Sequence, residues 1–179
     1  MAKYPVYAVG QRLTADLLTL GQKDTVTKAV TTSRASTIVY TDDPELTISG
    51  VAGTYRIEMD LIASGAAFGA GAGDINVQWN ITGTITGGYR STGGPSDPLQ
   101  NPTSLASTRW RSHLLSAGVT PFGYPTDNGA TNLTRISEFS PAATFSTAWT
   151  IAIQWTQNVS SATATNVLNG STLTATRTA

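Results

Sequence analysis

The chain has 179 residues, 11 basic and 11 acidic side chains, a formal net charge of zero and no cysteine. Disulfides, thiolate metal sites and thiol nucleophiles are therefore excluded, and balanced charge argues against nucleic acid, which calls for a basic stripe interleaved with aromatics. Charged residues form only 12% of the sequence, against roughly 25% in an ordinary soluble domain, and polarity comes instead from 30 threonines and 16 serines.

Hydroxyl surface of this kind suits faces that meet other protein, where a charge would need a partner but a hydroxyl is satisfied at little cost. The first residues lack the basic and apolar segments of a signal peptide, and no apolar run reaches the roughly 18 residues needed to cross a bilayer. The expectation is a single-domain product of the cytoplasm with no membrane partner.

The first recognisable element lies in YPVYAVGQRLTADLLTLGQ, residues 4–22. Thr14 is a good N-cap, Asp16 suits the positive end of a helix dipole, and Gly21 ends the segment. Leu13, Leu17, Leu18 and Leu20 make an apolar side. A helix of about two turns is unstable alone, so residues 1–24 are expected to form an arm with a short helix. That arm docks through Leu13, Thr14, Leu17 and Leu18, on its own domain or on another chain.

TVTKAVTTS (25–33) and STIVY (36–40) are rich in β-branched residues and read as strands. TDDPE (41–45) reads as a turn. From 53 to 63 the sequence alternates, with Tyr55, Ile57, Met59 and Leu61 on one face and Arg56, Glu58 and Asp60 on the other. SGAAFGAGAG (64–73) is a flexible connection. In DINVQWNIT (74–82), Ile75, Val77, Trp79 and Ile81 face inward while Asp74, Asn76, Gln78 and Asn80 form a polar ladder, and TITGGYR continues a hairpin after Gly83.

Residues 91–132 hold five of the eight prolines and few alternating runs. They read as a long excursion with a short helix or strand at 105–115, and so long a loop is usually functional. A strand resumes at NLTRISEF (132–139). FSTAWTIAIQWTQ (145–157) is the strongest strand signal, with Trp149, Ile151, Ile153 and Trp155 on one face and the uncharged Thr150, Ala152, Gln154 and Thr156 on the other. A turn, a short strand, an Asn169-Gly170 turn and a last strand close the chain. The sum is an all-β fold, an antiparallel β-sandwich of jelly-roll type over residues 25–179, with a long loop at 91–132 and a short N-terminal helical arm.

No catalytic constellation emerges. His113 is the sole histidine, and its neighbours Ser112 and Ser116 are not in a nucleophile-elbow pattern. One histidine does not make a zinc site. Asp42, Asp43 and Glu45 offer oxygens of the kind Ca²⁺ takes, but a turn explains the same letters without a metal. GAGAG (69–73) is followed by a strand rather than the helix a dinucleotide fingerprint requires. No metal and no cofactor are therefore expected. Trp79, Trp149 and Trp155 fall in core register, whereas Trp110, with Tyr89, Arg109 and Arg111, lies where it can meet a ligand such as a host-surface glycan.

Two stretches carry a resemblance. AVGQRLTADLL (8–18), through Gly10, Gln11, Leu13, Thr14, Ala15 and Leu18, resembles the N-terminal signature of tail-associated virion proteins of tailed bacteriophages, notably those of actinobacterial hosts. Thr19 stands where that group carries asparagine. Residues 153–177 are similar to its closing segment through Trp155, Gln157, Asn158, Ser160, Ala162, Thr163, Thr165, Val167, Gly170, Ser171 and Leu173. The resemblance implies a non-enzymatic virion component on a β-sandwich, commonly a homotrimer, attached to tail, baseplate, fibre or head. Its partners would then be further copies of itself and neighbouring virion proteins. Capsid decoration and a carbohydrate-binding, receptor-recognising module are the alternatives within that setting.

Overall fold

The computed structural model describes residues 21–65, 75–95, 108–115, 121–124, 126 and 133–179. The arm helix, with Leu13, Thr14, Leu17 and Leu18, and the GAGAG stretch lie outside the described residues.

Those residues carry thirteen strands. In chain order they are β1 (Lys23–Thr27), β2 (Thr32–Arg34), β3 (Thr41–Gly50), β4 (Gly53–Ser64), β5 (Ile75–Thr82), β6 (Ile85–Gly87) and β7 (Tyr89–Pro95). There follow β8 (Thr108–Leu114), β9 (Phe122–Tyr124), β10 (Thr134–Phe145), β11 (Trp149–Gln157), β12 (Thr165–Val167) and β13 (Thr172–Arg177). The larger sheet runs β1-β13-β4-β10-β7-β8, with β6 beside β10 and β12 between β4 and β2; the smaller runs β3-β11-β5-β9. Every pairing is antiparallel. The pairing is nested: β1 with β13, β3 with β11, β4 with β10 and β5 with β9, alternating between the sheets. The chain thus behaves like one long hairpin folded over on itself.

The inward faces of both sheets form one hydrophobic cluster, as period-two alternation requires. Ile57, Leu61, Ile75, Val77, Ile151, Ile153, Trp155 and Leu173 are fully buried, and the expected inward sets of residues 53–63, 74–82 and 145–157 all fall on this side. One end is sealed by aromatics, with Trp149 stacked on Phe145 at 4.7 Å and edge-on to Tyr55 at 4.8 Å. Trp149 Nε1 and Tyr55 OH both donate to the Val51 carbonyl, at 2.9 and 3.0 Å. The architecture is all-β and β-sandwich-like.

Several sequence readings need correction. TDDPE is not a turn but the start of β3. Opposite β11 the register jumps from Thr47 to Asp42 while β11 advances only from Ala152 to Gln154, so residues 43–46 form a bulge. Pro44 sits in that bulge on an edge strand, where a missing N–H costs no ladder bond. STIVY is not a strand. It crosses β11 on other bonds: Ser36, at φ 53°, donates its N–H to Ser161 O, and Thr37 O accepts from Thr156 Oγ1. Residues 25–33 form two strands rather than one, separated at Lys28. The segment after Gly83 does not extend a hairpin with β5: β6 and β7 join β10 in the other sheet. Finally, 91–132 is not wholly irregular, since β7 and β8 pair there from Tyr89↔Leu114 to Pro95↔Thr108.

Candidate functional site

Two outer faces and two buried charged clusters stand out among the described residues. On the smaller sheet, alternation turns Asn76, Gln78 and Asn80 of β5 outward beside Thr150 and Gln154 of β11. Gln78 donates to Gln154 at 2.5 Å, Asn76 to Asn158 at 3.0 Å and Asn80 to Asp42 at 3.2 Å, while Ser49 and Thr150 share a bond of 2.8 Å. An amide carries two donors and an acceptor, so a surface docking here finds hydrogen bonds without stripping water from many charges. Thr156, on the same side of β11, is already covered by the chain's own residue 37, which removes it from the exposed part of this face.

The outer face of the larger sheet pairs its charges internally. Arg56 bonds Glu58 at 2.7 Å, and Arg135 Nε reaches both oxygens of Asp60 at 2.8 Å, with Nη2 also on Asp60. Around these pairs stand Thr172, Thr174, Thr176 and Ser137, with Thr25 bonded to Thr174 at 3.1 Å. Arg56, Glu58, Asp60, Phe139, Thr172 and Thr174 help to line a shallow depression of about 370 Å³.

At its β7–β8 edge this face carries two exposed large side chains beside a serine pair. Tyr89 (56% exposed) stands opposite Leu114 (40% exposed), and Ser91 and Ser112 bond across the same pair at 2.8 Å. In register Trp110 lies opposite Gly93, Arg109 opposite Gly94 and Arg111 opposite Thr92. Backbone pairing therefore puts Trp110 on the alternate that Tyr89 and Leu114 share, with Arg109 and Arg111 on the other alternate. Ser112 and His113, as adjacent strand residues, point to opposite faces, and Ser112 is engaged with Ser91.

The first buried cluster joins the sheets. Arg90 donates from Nε and Nη2 to the two oxygens of Glu138, each at 2.6 Å, and from Nη2 to Val77 O at 2.9 Å. Tyr124 OH donates to the same carboxylate at 2.5 Å, and the guanidinium lies 4.4 Å from the Phe122 ring centroid. Burial, then the Glu138 charge, pushes the Tyr124 phenol far above its ordinary value. The second cluster centres on Lys28, whose Nζ reaches Thr32 Oγ1 at 2.7 Å, Asp43 Oδ1 at 2.8 Å and Glu45 Oε2 at 3.3 Å. Glu45 also accepts from the N–H groups of Ala29 and Val30, which with Lys28 holds its carboxyl below the usual range. The Lys28 amine thus occupies the place between Asp43 and Glu45 that a Ca²⁺ ion would take, and Asp42 accepts from Asn80 instead. No group of three or more potential metal ligands occurs among the described residues.

Neither cluster was singled out from sequence, although parity offers a signal. Glu138 shares the inward alternate of Ile136 and Ser140, and Lys28, just past the end of β1, continues the alternate of Val26. A charged residue on a core-facing alternate needs a buried partner.

No protein-family model matches the chain, and no match is found among curated proteins or solved structures.

Proposed function

We propose that this chain is a non-enzymatic structural protein of a tailed-bacteriophage virion, a tail, baseplate or fibre component that assembles as a homotrimer and docks through its N-terminal arm. Its eight principal strands are read as a jelly roll, the nested pairing of β1, β3, β4 and β5 with β13, β11, β10 and β9 being the order such a fold takes.

The observation that carries the reading is how the phage-like C-terminal pattern is used. Trp155, Gln157, Thr165, Val167, Ser171 and Leu173 are all fully buried. Gln157 accepts from Ser161 N–H at 3.1 Å and Thr37 N–H at 3.3 Å and donates to Thr163 O at 2.8 Å, which shapes the turn after β11. Ser171 Oγ donates to Leu168 O and accepts from Ile62 N–H, fixing the approach to β13. These six matched residues build or adjoin the closing strands, while Asn158, Ser160, Ala162, Thr163 and Gly170 lie in the turns between them, and this use of the pattern to close the sandwich supports the reading. The outer faces, where hydroxyls, amides and internally paired charges predominate, support burial between copies.

Growth of the parent particle with residues 1–22 deleted from this protein tests the reading. The expected particles lack the protein while the deleted chain still folds; particles that incorporate it at the normal level overturn docking through the arm. A receptor-binding role on host glycans is a second reading, favoured by the exposed Tyr89–Leu114 edge and the register position of Trp110. Loss of cell binding on Trp110→Ala, without loss of assembly, is its expected outcome. Attachment at the capsid as a decoration or head-fibre protein is distinguished by locating the protein on the particle.

A further inference from the structure

An amide bond is made from an amine and a carboxyl group, and Lys28 and Asp43 bring those two groups together where water does not reach. Lys28 Nζ lies 2.8 Å from Asp43 Oδ1, and neither side chain has any solvent exposure. The surrounding donors and acceptors are arranged asymmetrically about the carboxyl. Trp155 Nε1 donates to Oδ2 at 3.1 Å, while the Glu45 N–H donates to Oδ1 at 3.1 Å. The amine is held by Thr32 Oγ1 at 2.7 Å, and Glu45 Oε2 waits 3.3 Å from it on the side where the cluster meets solvent.

We propose that Lys28 and Asp43 condense into an intramolecular isopeptide bond, with Glu45 as the proton carrier. Proton transfer from Nζ to Oδ1 within the pair leaves a neutral amine and a neutral acid, and dry surroundings reduce the cost of giving up both charges. The nitrogen lone pair attacks Cγ, forming the C–N bond, and the carbonyl electron pair moves onto Oδ2, where the Trp155 N–H stabilises it as an oxyanion donor does. Glu45 takes a proton from the nitrogen and returns it to the Oδ1 hydroxyl. The Cγ–Oδ1 bond then breaks and water leaves past Glu45. One amine and one carboxylic acid become one amide and one water, with no oxidant, metal or co-reactant. Oδ2 remains as the amide oxygen, still accepting from Trp155. Holding the reacting atoms in contact replaces the activation that amide formation otherwise needs.

The bond would tie the end of β1, on the edge of the larger sheet, to β3 on the edge of the smaller one. In a chain without cysteine it is a covalent staple between the edges of the two sheets, next to the first described strand. The inference does not depend on the virion reading and survives or fails separately from it.

Intact-mass spectrometry of the denatured wild-type chain tests it directly. The expected mass is lower than the sequence mass by one water, and proteolysis yields a branched peptide joining the segments around residues 28 and 43. Lys28→Arg and Asp43→Ala should each restore the full mass, and Glu45→Gln should leave most of the chain uncondensed. A folded wild-type chain of full sequence mass with no branched peptide overturns the proposal, whether or not any variant folds. Glu45→Gln condensing as fully as wild type overturns the role given to Glu45.

Discussion

Arg90 and Glu138 face each other across the join between β7 and β10 with two bonds of 2.6 Å, both side chains inside the core. Val77 O and Tyr124 OH complete the set, so two charges are neutralised and hydrogen-bonded at once. Removing one partner strands the other. Glu138→Ala is expected to cost about 3–5 kcal/mol, whereas an Arg90→Met, Glu138→Leu pair should cost far less. Urea denaturation of the three proteins reads the difference as a shift in midpoint.

Gln157 gives a second prediction. Its buried amide holds Thr37, Ser161 and Thr163, and replacing it leaves three partly buried backbone groups without this partner. Gln157→Ala should destabilise the fold by about 1–3 kcal/mol. Amide hydrogen exchange should quicken at Thr37 and Ser161 before it quickens in β4 or β11.

Gly88 lies between β6 and β7 at φ 119°, and a Cβ there would meet Ala142 O at 2.6 Å. Strain and collision coincide. Gly88→Ala should lose about 1–3 kcal/mol or more, while Gly87→Ala, where a Cβ meets nothing within 4 Å, should lose much less. Thermal denaturation of the pair separates backbone conformation from a general intolerance at the β6–β7 corner.

Glu45 sets an acid limit on one segment. The Val30 and Ala29 N–H groups, with Lys28, lower its pKa, so the stability it contributes is fully present above the ordinary carboxylate value. That contribution is lost as pH falls through the lowered value. Acidification should therefore loosen residues 28–31 before the sandwich unfolds, and Glu45→Gln should loosen them at neutral pH. Exchange rates of the Ala29 and Val30 amides, followed against pH, measure both.

The strand faces were legible wherever the sequence keeps strict alternation. Tyr55 through Leu61, Ile75 through Ile81 and Trp149 through Trp155 face the core as read, because a buried face leaves a two-residue signature. The sequence misled where that signature is interrupted. Pro44 and its acidic neighbours imitate a turn, yet occupy a bulge that aims Asp43 inward. Ile38 and Val39, β-branched and therefore strand-like, are 59% and 65% exposed in a segment tied down by Gln157 and Thr156. The pairing of β7 with β8 joins residues separated by a proline-rich stretch, and no local pattern announces it. Of the ligand-loop candidates, Tyr89 is on an exposed face. Arg109, Trp110 and Arg111 prove to be strand residues at alternating register positions.

Sedimentation of the full chain at micromolar concentration tests the central claim most directly. The proposed homotrimer, with hydroxyl-rich faces buried between copies, should sediment as three chains. Residues 21–179 alone should stay folded, since strands β1 to β13 all lie within that span. A chain that remains monomeric at that concentration, with and without the first 20 residues, would contradict the account.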